Sequence, residues 1–173
     1  MQEILEETIN FIDCTKMELV KLLNLKISSN VISISTNELY RDYNKHFLHE
    51  IESKKSVIYI IRQHNNDVIK EYFEDFKKNN PKIKMPKLNN LNSNPEVMYI
   101  GSVMKNFKRR LKEHLGFGSD KTYSLQIRKW LKKDTIITIE YYIFDNQINE
   151  LTLRIIESKF ASTLKPTFGK HLI

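Results

Sequence analysis

The chain predicts an α+β fold: a small three-stranded antiparallel sheet flanked by helices, with an N-terminal helical extension. Three observations carry this. Short runs rich in β-branched and aromatic residues stand at 56–62, 96–101 and 135–144, the composition of strands and the wrong length for helices. Between them, apolar residues recur at helical spacing. From residue 56 the order is strand, insertion, strand, helix, helix, strand, helix, within a chain of 173 residues, the size of one domain.

Residues 3–25 carry Ile4, Ile9, Phe11, Ile12, Leu19, Leu22 and Leu23 at helical spacing, so one or two helices are expected there. Ser35-Thr36-Asn37-Glu38 has the form of a capping box, in which Ser35 caps and Glu38 reaches back. It predicts a helix over 36–52, striped by Leu39, Tyr43, Phe47 and Ile51. Ser56 to Arg62 suits a strand buried on both faces. Val68, Ile69, Tyr72, Phe73 and Phe76 predict a helix over 66–78. Residues 79–95 hold Pro81, Pro86, Pro95 and several Asn, which predicts a loop and marks the stretch best suited to disorder.

Glu96 to Gly101 reads as the second strand. A short basic helix follows over 106–115, stopped by Gly116 and Gly118. Thr122 to Lys133 reads as a helix buried through Leu125, Ile127, Trp130 and Leu131. Thr135 to Phe144 is the most strand-like run, and Ile148 to Leu164 a long helix ended by Pro166. The expected organisation is an N-terminal helical extension over 1–55, packed on a core domain over 56–173 with an insertion at about 63–95.

Composition narrows the function. Hydrophobic residues at 40% against 28% charged describe a foldable globular chain rather than a disordered one. No apolar run approaches the roughly 20 residues of a membrane span. The acidic start, Glu3, Glu6 and Glu7, has the wrong charge for a signal peptide. The single Cys14 cannot make an internal disulfide, which favours a cytoplasmic location. The formal net charge of +7 favours polyanionic partners, nucleic acid before membrane, because the cations do not form one long amphipathic helix.

On the 106–115 helix Arg110 and His114 stand four apart and share a face. The plainer reading is a solvated basic surface, since Lys105, Lys108, Arg109 and Lys112 surround them. Glu157 falls inside the apolar stripe of the last helix, among Leu153, Ile156, Phe160, Ala161 and Leu164. A carboxylate there costs several kcal/mol unless it is paired or binds a metal. Arg154 and Arg110 are the candidate partners of a buried salt bridge. Tyr59 and Tyr99 each lie inside a strand, where packing alone explains a tyrosine.

Taken together these residues resemble the GIY-YIG nuclease superfamily, as an expanded and restriction-endonuclease-like member. Val57-Ile58-Tyr59 and Tyr99-Ile100-Gly101 are similar to the two halves of its signature. Arg110 and His114 follow at the family's spacing, Glu157 lies on the last helix, and Lys165-Pro166-Thr167-Phe168 resembles the closing tail. The likeness spans roughly 56–170. The first half lacks its glycine, 63–95 is an insertion, and Gly169 stands where the family usually carries an Asn that positions a partner of the site; Lys170 and His171 are nearby substitutes.

The resemblance implies a metal-dependent DNA endonuclease with catalytic Tyr59, Tyr99, Arg110, His114 and Glu157. Glu157 would bind one divalent ion per site, Mg²⁺ or Mn²⁺, and Arg110 the scissile phosphate. Tyr59 would be the general base, passing its proton on through Tyr99 or His114. DNA would be gripped by Lys105, Lys108, Arg109, Lys112, Lys121, Arg128, Lys129, Lys132 and Lys133. The expected setting is restriction or phage defence, with a homodimer as the arrangement that cuts both strands. Two other readings stay open: a catalytically weakened DNA-binding module on the same scaffold, motivated by Gly169, and a subunit that cuts only with a partner.

Overall fold

A computed structural model describes residues 1–24, 26–41, 48, 51, 55–64, 69–89, 93–131, 134–144 and 148–169. The elements are α1 (Gln2–Leu22), β1 (Ile27–Ser35), α2 (Thr36–Tyr40), β2 (Ser56–Gln63), α3 (Ile69–Asn79), β3 (Val97–Val103), α4 (Phe107–Leu115), α5 (Ile127–Trp130), β4 (Ile136–Phe144) and α6 (Glu150–Leu164). The sheet is antiparallel, in the order β1-β4-β2-β3. Among the described residues no helix is long and apolar enough to cross a membrane.

The sheet has four strands rather than the three expected. The additional one is β1, so the region before residue 56 is not wholly helical. Its sequence, Ile-Ser-Ser-Asn-Val-Ile-Ser-Ile-Ser, is half serine and asparagine, which masks its alternation. Ile34 is buried and Ile32 packs partly against the core, whereas Ile27 and Val31 are exposed. The capping box forms as expected, with the Asn37 amide donating to Ser35 Oγ and the Ser35 amide to Glu38 Oε2. It starts a helix that runs only to Tyr40; beyond it, only Arg41, Leu48 and Ile51 of the expected 36–52 segment are among the described residues.

The helix expected over 122–133 is also shorter. Gln126 sits in the left-handed region at φ 53°, so the 122–126 segment cannot continue into α5. Of the expected stripe, Leu125 precedes the helix and Leu131 follows it, yet both are buried beside Ile127 and Trp130. Lys132 and Lys133 lie outside the described residues.

The two sheet faces hold separate cores. Val57, Tyr59 and Ile61 of β2 join Leu111, Leu115, Leu125 and Trp130 on one face. Ile58 meets Leu153 of α6 on the other, and Ile60 meets Ala161. A strand buried on both sides explains why β2 reads as an unbroken apolar run. Between β2 and β3 the register jumps: Ile61 pairs with Tyr99 but Arg62 with Val97. Met98 is thus a bulge residue beside Tyr99, in the position where bulges redirect side chains.

The described part of 79–95 is packed rather than loose. Met85 is buried. The amides of Lys84, Asn89 and Gly169 donate to the carbonyls of Asp120, Thr167 and Lys87. The tail therefore lies between this segment and β3, where the Thr167 and Phe168 amides donate to Val97 and Met98. Phe73 of α3 joins the insertion to the core, packing on Phe168 and Trp130 at ring distances of 4.4 and 5.4 Å. Phe73→Ala is expected to destabilise the fold by about 3–5 kcal/mol, read as a lower urea midpoint. A loss under about 1 kcal/mol would mean that the insertion does not share the core.

Candidate active site

Tyr59 lies at the centre of β2, opposite Gly101 on β3 and Tyr141 on β4. Its ring is buried against Phe107, 5.1 Å away, with Tyr99 at 6.2 Å. Its hydroxyl sits over Gly101: a Cβ at that position would come within 2.5 Å of the Tyr59 oxygen. The glycine is thus required by close approach and not by an unusual backbone angle.

His114 is fully buried, with Nε2 3.0 Å from the Tyr59 hydroxyl. Its Nδ1 accepts from the Leu125 amide at 3.3 Å. A backbone N–H can only donate, so the neutral ring carries its proton on Nε2 and donates to the Tyr59 oxygen. Burial, and then the Arg110 charge, hold the His114 pKa well below its ordinary value. The sequence had cast His114 as an acceptor of the Tyr59 proton; the geometry makes it a donor. Burial, reinforced by Tyr99, raises the Tyr59 pKa well above the phenol range, and Arg110 offsets only part of this.

Arg110 and His114 share one face of α4, as their spacing predicts. Arg110 donates from Nη1 to Glu113 Oε2 at 3.0 Å and from Nη2 to the Tyr99 hydroxyl at 3.4 Å. Burial disfavours its charge, but Tyr59, Tyr99 and Glu113 outweigh that, and its pKa is raised. The guanidinium and Tyr99 line an open cleft of about 540 Å³ with Lys77, Lys87, Tyr123 and Gly169.

Glu157 projects from α6 on the opposite side of β3. Ser102 Oγ donates to its Oε2 at 2.5 Å. Neither salt bridge that the sequence offered forms: Arg154 pairs with Glu150, and Arg110 with Glu113. Among the described residues Glu157 has no ion-pair partner. Burial raises its pKa, against the hydrogen bond from Ser102 and the charges of Arg154 and Arg110. It lines a second open cleft, about 480 Å³, with Ser102, Lys105, Glu150 and Arg154.

The two clefts flank β3, an edge strand of the sheet. Tyr59, Tyr99, Arg110 and His114 are in direct contact on one side, and Glu157 stands on the other. They are electrostatically joined: the Glu157 charge raises the Tyr59 pKa, and the Arg110 charge lowers that of Glu157. A half-buried carboxylate without a cation, facing an open cleft beside a serine hydroxyl, suits a hard divalent ion that retains most of its waters. Among the described residues no group of three or more His, Cys, Asp or Glu is arranged to hold a metal, so an ion there would take few protein ligands and mostly water.

The expected basic grip divides. Lys105 lines the Glu157 cleft. Lys105, Arg109 and Lys121 are exposed, and Lys108 and Lys112 half-buried. Arg109 lies 4.0 Å from Glu113, Lys129 pairs with Asp120, and Arg128 stacks on Phe117. Sequence reasoning missed Glu113, Ser102, Lys77, Lys87 and Tyr123. The i,i+3 spacing of Arg110 and Glu113 could have revealed that pair. Nothing in the sequence marked the others.

The buried neutral His114 has a stability consequence. Its folded pKa lies below the unfolded value near 6.5, so below about that pH the unfolded chain takes up a proton that the native ring refuses. Its stabilisation is complete above the unfolded pKa and declines as pH falls. The thermal midpoint should drop between about pH 6.5 and 5, ahead of most carboxylates, and His114→Gln should flatten that slope. Equal slopes for both proteins would contradict the assignment.

No family model, curated protein or solved structure matches this chain.

Proposed function

We propose that the chain is a metal-dependent DNA endonuclease of the GIY-YIG type. The observation that carries this reading is the pairing, across Gly101, of an arginine–phenol–histidine cluster with a half-buried carboxylate that has no ion-pair partner among the described residues. Metal-assisted phosphodiester hydrolysis uses that combination: positive charge on the phosphate, and an oxygen ligand for a Lewis acid near the leaving group. DNA as the substrate follows from the residues that resemble the family.

Arg110 would hold the scissile phosphate, since its fork suits two phosphate oxygens. Glu157 would hold Mg²⁺ or Mn²⁺, which supplies charge for the departing 3′ oxygen. Tyr59 is sealed from solvent and its hydrogen-bonded histidine is a donor, so its part as general base loses the proton acceptor that His114 was to supply. Tyr99 is half-buried, lines the cleft and accepts from Arg110. It is the phenol that an attacking water can reach. Tyr99→Phe is expected to slow cleavage about tenfold or more, and Tyr59→Phe less; the reverse order would return Tyr59 to the role of base.

Water attacking phosphorus with loss of the 3′ oxygen leaves a 5′-phosphate and a 3′-hydroxyl. Labelled duplexes incubated with Mg²⁺ should yield those ends, which DNA ligase can reseal. Ends that resist ligation until treated with a phosphatase and kinase would refute this chemistry. The second reading is a weakened DNA-binding module, favoured by Gly169, which lines the Tyr99 cleft at φ 123° with no side chain to offer. Under that reading DNA binds with strong salt dependence and no new ends appear. A homodimer, a partner-dependent subunit and a restriction or phage-defence setting are further proposals on the same resemblance.

A further inference from the structure

The two edges of the sheet are treated differently. The β3 edge is engaged by the tail at Val97 and Met98. The β1 edge, at the other end of the strand order, has no strand beside it among the described residues. It is nine residues long, with no charge, no proline and no bulge against β4, and it exposes Ile27 and Val31. Edge strands of monomers are usually blunted by Lys, Pro or irregularity. This one carries none of those devices.

Its apolar character continues onto α1. Leu5, Ile9, Ile12, Val20 and Leu23 fall on one side at 100° per residue, and each is more than half exposed. No residue of α1 is buried. Leu23 and Ile27 share an apolar groove of about 280 Å³ with Tyr142 and Phe160, and Val31 points to the same face of β1 as Ile27. Helix and strand thus each present apolar side chains to solvent, and the two meet at Leu23 and Ile27 in that groove.

We propose that this surface docks a second copy of the chain, with β1 pairing antiparallel to β1 about Val31. That register sets Val31 opposite itself and Ser29 opposite Ser33, keeps odd-numbered residues facing odd, and preserves the buried face through Ile32 and Ile34. At each end of the ladder Lys26 of one copy falls opposite Thr36 of the other, so no like charges meet across the pairing. A strand ladder alone falls short of the roughly 800 Å² per partner that stable interfaces bury; the apolar face of α1 supplies the remainder. The pairing does not depend on nuclease activity, although two joined sites would let one particle reach both strands of a duplex.

The test is mass in solution, measured by light scattering on the full chain, together with cross-linking. The wild type should be a dimer at micromolar concentration, and Val31→Lys, on an exposed side chain, should weaken it about 100-fold while leaving the circular dichroism unchanged. In a Cys14→Ser background, Val31→Cys should form a covalent dimer on mild oxidation. A wild type that stays monomeric overturns the proposal, as does a dimer indifferent to Val31→Lys or one whose Val31→Cys does not cross-link. A monomer that instead binds anionic lipid vesicles through α1 overturns it in favour of a membrane surface.

Discussion

Arg110→Ala is expected to reduce single-turnover cleavage by about two to three orders of magnitude. The guanidinium bridges Glu113 and Tyr99 at the wall of the cleft. No neighbour can replace it, because His114 is neutral, buried and committed to Tyr59 and Leu125. The two lysines across the cleft, Lys77 and Lys87, are point charges that attract phosphate without the fork that fixes two of its oxygens. Arg110→Lys should therefore recover part of the binding and little of the rate. Removing the arginine also leaves Glu113 with only the distant Arg109, so stability must be followed beside activity. Circular dichroism should show a folded protein whose rate is lost. A folded variant within about threefold of the wild type would remove Arg110 from the chemistry.

Gly101→Ala is the second large effect, and it is steric. The new methyl would lie 2.5 Å from the Tyr59 oxygen, 2.7 Å from its Cζ and 2.8 Å from Tyr99 Cε1. Tyr59 has little room to retreat, since Phe107 packs on its ring and His114 holds its hydroxyl. Overpacking of this kind costs about 1–3 kcal/mol. The urea midpoint should fall accordingly, and cleavage should fall further than stability explains, because the methyl displaces both tyrosines. An unchanged midpoint with full cleavage would mean that Tyr59 does not need its seat over the glycine.

These effects rest on parts of the molecule that were unequally legible beforehand. Strand β2 and helix α4 were readable because burial on two faces leaves an unbroken apolar run and because i,i+4 spacing defines one helix face. Glu157 stood out as a carboxylate inside an apolar stripe, and the structure leaves it without either proposed partner. Strand β1 was not readable. At a sheet edge only Ile34 needs deep burial, and serines fill positions that a central strand would give to valine. The truncation of α5 depends on Gln126 adopting a left-handed angle, which no pattern in 122–133 announces. The 79–95 segment is the loop that Pro and Asn announce, but those residues report only the absence of regular structure; the packing of its described part depends on Met85 and the backbone bonds to Thr167 and Lys87.

Within the site, sequence spacing grouped Arg110 with His114 but could not give the histidine tautomer, which a backbone amide from another segment sets. Nor could it show that Glu113 takes the guanidinium and so leaves Glu157 free of it. Lys77 and Lys87 reach the cleft through the packing of the insertion, and Tyr123 through the segment before α5, tertiary facts with no local signal.

The most direct measurement is nicking of supercoiled plasmid by the full chain with Mg²⁺, beside Glu157→Ala and an EDTA control. The account predicts metal-dependent conversion to nicked or linear DNA by the wild type, abolished by EDTA and by loss of the Glu157 carboxylate, which faces the cleft without an ion-pair partner among the described residues. Cleavage that survives in Glu157→Ala, or an inert wild type that still binds the plasmid in low salt, would contradict it.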